Sequence, residues 1–164
     1  MKSPGVTISM VVEVDPADAF AVFTNEIGRW WKPHYQNRFR ADRSGRMHFE
    51  SGVGGRLLET YEDAPDAPFE VGRILVWEPG RRLVFDWKLE SFFAPEQVTE
   101  VEVCFEAIAD GTRITLEHRG WDAVPKNHPA RHGLGDEQFW IMKGAWWRDL
   151  LRAAKTYAEK KEKL

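Results

Sequence analysis

The chain has 164 residues, 43% of them hydrophobic, with a formal net charge of −3 and eight tryptophans. One domain spanning 1–164 is the expectation, since a chain of this length buries roughly 70% of its unfolded surface. Its interspersed acids and bases offer no basic face for phosphate contacts, so nucleic acid is excluded as a partner.

The lone cysteine, Cys104, fits a reducing compartment, and there is no basic-then-apolar leader. No apolar run approaches the roughly 20 residues of a membrane span, so a cytoplasmic location without membrane contact is expected. Val6 to Val14 alternates apolar and polar and reads as a first strand. Asp15-Pro16 supplies an N-cap and a first helical residue, opening a short helix through Phe20 and Phe23, and a second short helix runs from Glu26 to Trp31. Gln36 to Gly45 reads as a mobile loop. Strands are expected at Met47–Ser51, Arg56–Glu62, Phe69–Trp77, Arg82–Leu89, about Glu100–Ala107, and Arg113–Arg119, joined by turns that include Glu78-Pro79-Gly80-Arg81 and Asp110-Gly111. Trp121 to Gly135 reads as a long loop of the kind that often forms a lid or stays disordered.

The strongest pattern is the last. Over Asp136 to Lys160, at about 100° per residue, Phe139, Met142, Trp146, Leu150, Ala153 and Tyr157 form one stripe, widened by Trp140, Trp147, Leu151, Ala154 and Ala158. So wide an apolar arc suits a helix held in the concave side of a curved sheet, which gives an α+β domain. Lys143 projects from the middle of that arc, and the expected course for its long stem is to carry the ammonium out past the sheet edge.

Several stretches together resemble the helix-grip (START-like, birch-pollen-allergen-type) superfamily, in the branch named after the activator of the heat-shock-protein-90 ATPase. They are Asp15-Pro16 with Ala19-Phe20 and Trp30-Trp31; Phe49-Glu50 with Gly54-Gly55-Arg56 and Glu59; and Gly72 leading to Trp77-Glu78-Pro79 and Arg82-Leu83-Val84-Phe85. Gly111 through Leu116, Gly120-Trp121, and Trp147 with Leu151 and Tyr157 complete the set. The resemblance implies a curved antiparallel sheet wrapped around a long C-terminal helix, two short helices after the first strand, and a small-ligand cavity without a catalytic signature. Two departures bear on function. Trp146-Trp147 after Gly144 stands where the branch has a Gly-Trp pair, so an indole occupies space that relatives leave open. The eukaryotic activator carries a separate N-terminal domain for which this sequence has no counterpart, which weakens a co-chaperone reading.

An apolar concavity with a few inward polar groups is the default ligand site. The residues expected to line it are Trp77, Phe85, Trp87, Phe105, Leu116, His118, Phe139, Met142, Lys143 and Trp146. His118 is the candidate acid, base or orienting donor, with a satisfied core histidine as its bland alternative. Glu59 lies among apolar neighbours and would need Lys143 or Arg56 as a partner. His128 and His132 have helical metal spacing, but Pro129 between them argues against a pair. Cys104 falls on an outer face, and Gly52-Val53-Gly54-Gly55 joins two strands and opens no phosphate-binding helix. The expected function is binding of a small hydrophobic or amphipathic molecule, without a cofactor. A polyketide-cyclase or aromatase-like enzyme and a protein-interaction module are the alternatives, and a homodimer is left open.

Overall fold

The computed structural model describes residues 5–31, 45–88 and 98–162. Among them lie seven strands: β1 (Gly5–Val12), β2 (Arg46–Phe49), β3 (Arg56–Thr60), β4 (Phe69–Glu78), β5 (Arg82–Trp87), β6 (Thr99–Ile108) and β7 (Gly111–Arg119). The helices are α1 (Pro16–Thr24), α2 (Ile27–Trp30) and α3 (Asp136–Glu162), with short 3-10 helices at Trp121–Ala123 and Pro129–Arg131. The strands form one antiparallel sheet in the order β1-β7-β6-β5-β4-β3-β2. The expected loop at Gln36–Gly45, apart from its last residue, lies outside the described residues, as do residues 89–97.

Local chemistry sets the helix starts. Asp15 accepts from the Asp18 amide at 2.8 Å, and Pro16 occupies the first turn, where its missing N–H costs nothing. α1 buries Ala19, Phe20, Val22 and Phe23, and the Trp30 indole N–H returns to the Val22 carbonyl at 2.8 Å, tying α2 to α1. Register shifts at Leu57/Leu58 and at Ile74/Val76 curl the sheet, because an extra residue on one strand sharpens its twist and bends it. Gly72 sits between these shifts, where an added Cβ would lie 1.6 Å from the Asp86 carbonyl oxygen, so only glycine lets β4 approach β5 there.

The long helix packs across β1, α1 and α2. Its buried stripe runs through Phe139, Lys143, Trp147, Leu150, Leu151, Ala154 and Ala158. Met142, Trp146, Ala153 and Tyr157, expected at the centre, are only half-buried. Near the C-terminal end of α3, the Lys155 ammonium donates to the Val11 carbonyl at 3.0 Å, and Glu159 accepts from the Glu13 amide at 2.8 Å.

The core has two parts. The larger spans the sheet, α1, α2 and most of α3, with Phe20 set edge-on to Trp77 and Phe105 at one end and Trp31, Trp87 and Trp147 in the middle. A smaller cluster of Trp121, Val124, Ala130 and Phe139 closes the start of α3. The expectation of a lid or disorder over Trp121–Gly135 is therefore corrected. Arg131 folds this segment: its guanidinium donates to the Trp121 carbonyl at 2.8 Å and the Val124 carbonyl at 3.2 Å, reaches Asp136 at 3.4 Å, and lies over Phe139 at 5.1 Å. A planar fork with several donors can hold two carbonyls and a ring at once, which a segment with only two single-turn 3-10 helices needs in order to pack.

Candidate functional site

His118 on β7 stands opposite Val6 and Val101 and is fully buried. The Trp147 indole N–H donates to its Nδ1 at 3.1 Å, so that nitrogen carries no proton. Its Nε2 meets the Thr99 hydroxyl at 2.8 Å, and that hydroxyl donates to the Trp87 carbonyl at 3.2 Å, which leaves Nε2–H as the donor to Thr99. One proton and one lone pair satisfy the ring as the neutral tautomer. Burial, with a smaller push from the Lys143 charge, holds the imidazole well below its usual pKa. With both nitrogens engaged by core groups, the geometry suits a residue that positions Trp147 and Trp87 more than one that moves protons. His118→Asn is expected to lose about 2–4 kcal/mol of stability, because a shorter amide cannot reach both partners and leaves buried polar groups orphaned. Urea unfolding checks this, and an unchanged midpoint would contradict it.

Lys143 departs most from the sequence expectation. Its side chain does not snorkel: the residue is 3% exposed. Position 143 lies one turn from both Phe139 and Trp147, at the centre of the buried stripe, and Trp121 from the segment after β7 roofs it. The ammonium nitrogen sits 4.0 Å from the Trp146 ring centroid, 5.5 Å from Trp121 and 5.9 Å from Trp87. Among the described residues it has no carboxylate partner. Lys88, Lys126, Lys155 and Lys161, by contrast, pair with Glu70, Asp136, Glu159 and Glu26. Burial pulls the Lys143 amine down to about 7, while the indole faces attract whatever fraction stays charged.

The expected lining residues therefore divide. Trp87, His118, Lys143 and Trp146 come together, with Phe85 beside Trp87 and Phe139 reaching the group through Trp121. Trp77 and Phe105 pack under α1 at the other end of the sheet. Leu116 is sealed between Ile8 and Val103 in the ladder, and Met142 packs on the smaller cluster. Glu59 is buried but meets neither expected cation. It accepts from the Tyr61 hydroxyl at 2.6 Å, while Arg56 makes a forked pair with Glu50, both contacts at 2.8 Å, and pulls that carboxyl down to about 2.

Trp121, Trp147, Thr99 and Arg131 were absent from the sequence-derived lining. Trp121 carried a signal only through the Gly120-Trp121 pair. His128 Nδ1 accepts from the Ala130 amide at 3.1 Å, and no cluster of three metal-ligating side chains occurs among the described residues. On the outer sheet face Arg119 pairs with Glu100 and Glu102, and Glu102 also with Arg82. Burial raises the Cys104 thiol beside Glu102, which makes it a poor nucleophile. A groove of about 350 Å³ between β1 and α3, bordered by Ile8, Trp140 and Gly144, touches none of the residues around the Lys143 amine.

Residues 13–140 match the family of activator of Hsp90 ATPase homolog 1-like proteins. The chain belongs to this family. No curated protein matches it. Among solved structures, this family member is similar in fold to protein MLL2253 from Mesorhizobium loti, with 14% identity, TM-score 0.61, and 96% and 98% of the two chains covered. It is likewise similar to the Aha1 dimer from Colwellia psychrerythraea, at 13% identity and TM-score 0.62, covering 95% and 96%. The anthrahydroquino-gamma-pyrone synthase Txn09 is 29% identical, with TM-score 0.52 and 84% and 85% covered. The helix-grip architecture is thus that of the family, a fold consistent with ligand binding. No helix among the described residues is long and apolar enough to cross a membrane.

Proposed function

We propose that the protein, taken as one helix-grip domain over residues 1–164, binds a small amphipathic molecule between α3 and the sheet, with an acidic group of the ligand beside Lys143. The observation that carries this reading is the buried amine among Trp87, Trp121 and Trp146 with no carboxylate among the described residues. Burying an ammonium alone is expensive, and an anion brought by a ligand would offset that cost. Trp146, half-buried and edge-on to Trp31 and Trp87, is the wall that moves to admit it. Phe85 and Phe139 complete the apolar surroundings, and His118 supports the wall from behind.

The test uses octanoic acid and octan-1-ol, which share a tail and differ in charge. Titration followed by calorimetry and tryptophan emission is expected to show the acid binding about tenfold or more tightly, a difference of about 1.4 kcal/mol. Lys143→Met should remove that difference while octanol affinity stays. Equal binding of acid and alcohol would refute the anion site, and no binding of either would refute the binding reading. An enzyme of the polyketide-cyclase or aromatase kind is the second reading, favoured by the 29% identity to a synthase.

A further inference from the structure

Deepening that reading of the same site, we infer that Lys143 forms an imine with a carbonyl-bearing ligand, so that the site takes aldehydes or ketones with an apolar body. Three observations converge on it. The amine is buried and has no carboxylate among the described residues to hold it protonated. It faces aromatic rings, which receive an apolar carbonyl compound and keep bulk water from hydrolysing the product. The nearby imidazole of His118 has both nitrogens engaged, by Thr99 and Trp147, so it offers the amine no lone pair to hydrogen-bond.

The step balances without a co-reactant. The amine lone pair attacks the carbonyl carbon, a C–N bond forms, and a nitrogen-bound proton passes to the oxygen to give a carbinolamine. The C–O bond then breaks, the oxygen leaves as water with the second nitrogen-bound proton, and a C=N bond remains. With its pKa at about 7, roughly half of the amine is neutral at pH 7, against roughly one part in 3,000 for an ordinary lysine.

The experiment treats the full chain at pH 7 with benzaldehyde and sodium cyanoborohydride and maps the benzylated lysines by peptide mass spectrometry. Lys143 is expected to be labelled about tenfold or more faster than Lys88, Lys126, Lys155 or Lys161, with a rate half-maximal near pH 7 and no continued rise toward pH 10. Lys143→Met, which keeps the apolar stem, should abolish the fast phase and leave the slow labelling of the other lysines. Label on the paired lysines with Lys143 untouched would overturn the inference, as would a Lys143 rate that climbs to pH 10. The saturated acid and alcohol cannot form imines, so a preference for octanoate without labelling of Lys143 defeats the imine alone. Labelling without that preference supports the imine and defeats the anion site.

Discussion

Lys143→Met should stabilise the protein at pH 7 by up to about 5 kcal/mol. In the unfolded chain the amine titrates at 10.5 and in the folded protein at about 7, and each unit of difference is worth about 1.4 kcal/mol. The sign follows from proton counting. Between pH 7 and 10.5 the unfolded chain holds a proton that the folded one has released, so the wild type gains stability as pH rises through that window. Below pH 7 both states are protonated and the penalty is constant; above 10.5 neither is, and it vanishes. Three indole faces return about 1 kcal/mol each to the charged form, which sets the lower end of the expected gain at about 2 kcal/mol. Thermal melts of both proteins from pH 6 to 10.5 check this. The curves should converge at high pH; a pH-independent gap, or a less stable mutant, would show that the amine is not buried as described.

The second large effect is expected at Arg131. Arg131→Ala removes the donors to the Trp121 and Val124 carbonyls and the cation lying over Phe139, at a cost of about 3 kcal/mol. The loss should be local. Amide exchange over residues 121–135 should speed up well before that of β6 and β7, because these residues are tied to the sheet through the small Trp121–Phe139 cluster. Arg131→Lys should not restore protection, since one ammonium cannot reach two carbonyls and stack on a ring. Exchange that accelerates only in step with global unfolding would contradict this role for Arg131.

The strand set was readable because alternation is a local property: Val6, Ile8 and Val12 are buried as their spacing required, and so are Leu83, Phe85 and Trp87. Periodicity found α3 as well, but it could not say which part of a wide apolar arc the sheet would cover. Met142 and Trp146 are apolar by type and half-exposed by position, while Lys143 is charged by type and sits on the covered line. Residue type misled at both. The partner of Glu59 was legible in principle, since Tyr61 shares its face two residues on, but the long cations looked more attractive than a neighbouring phenol. Arg131 lies in a Pro/Gly-rich stretch where no period exists to mark an inward residue. Its role depends on two carbonyls fixed only once that segment has folded.

The contacts near the end of α3 bear on how copies of this chain meet one another. β1 borders the sheet, and an uncovered border strand is a template for intermolecular strand addition. Lys155 and Glu159 occupy the Val11 carbonyl and the Glu13 amide, so an incoming strand would have to break two charge-assisted bonds before pairing at that end. The last turns of the helix thus act as a guard against sheet extension at that end of β1.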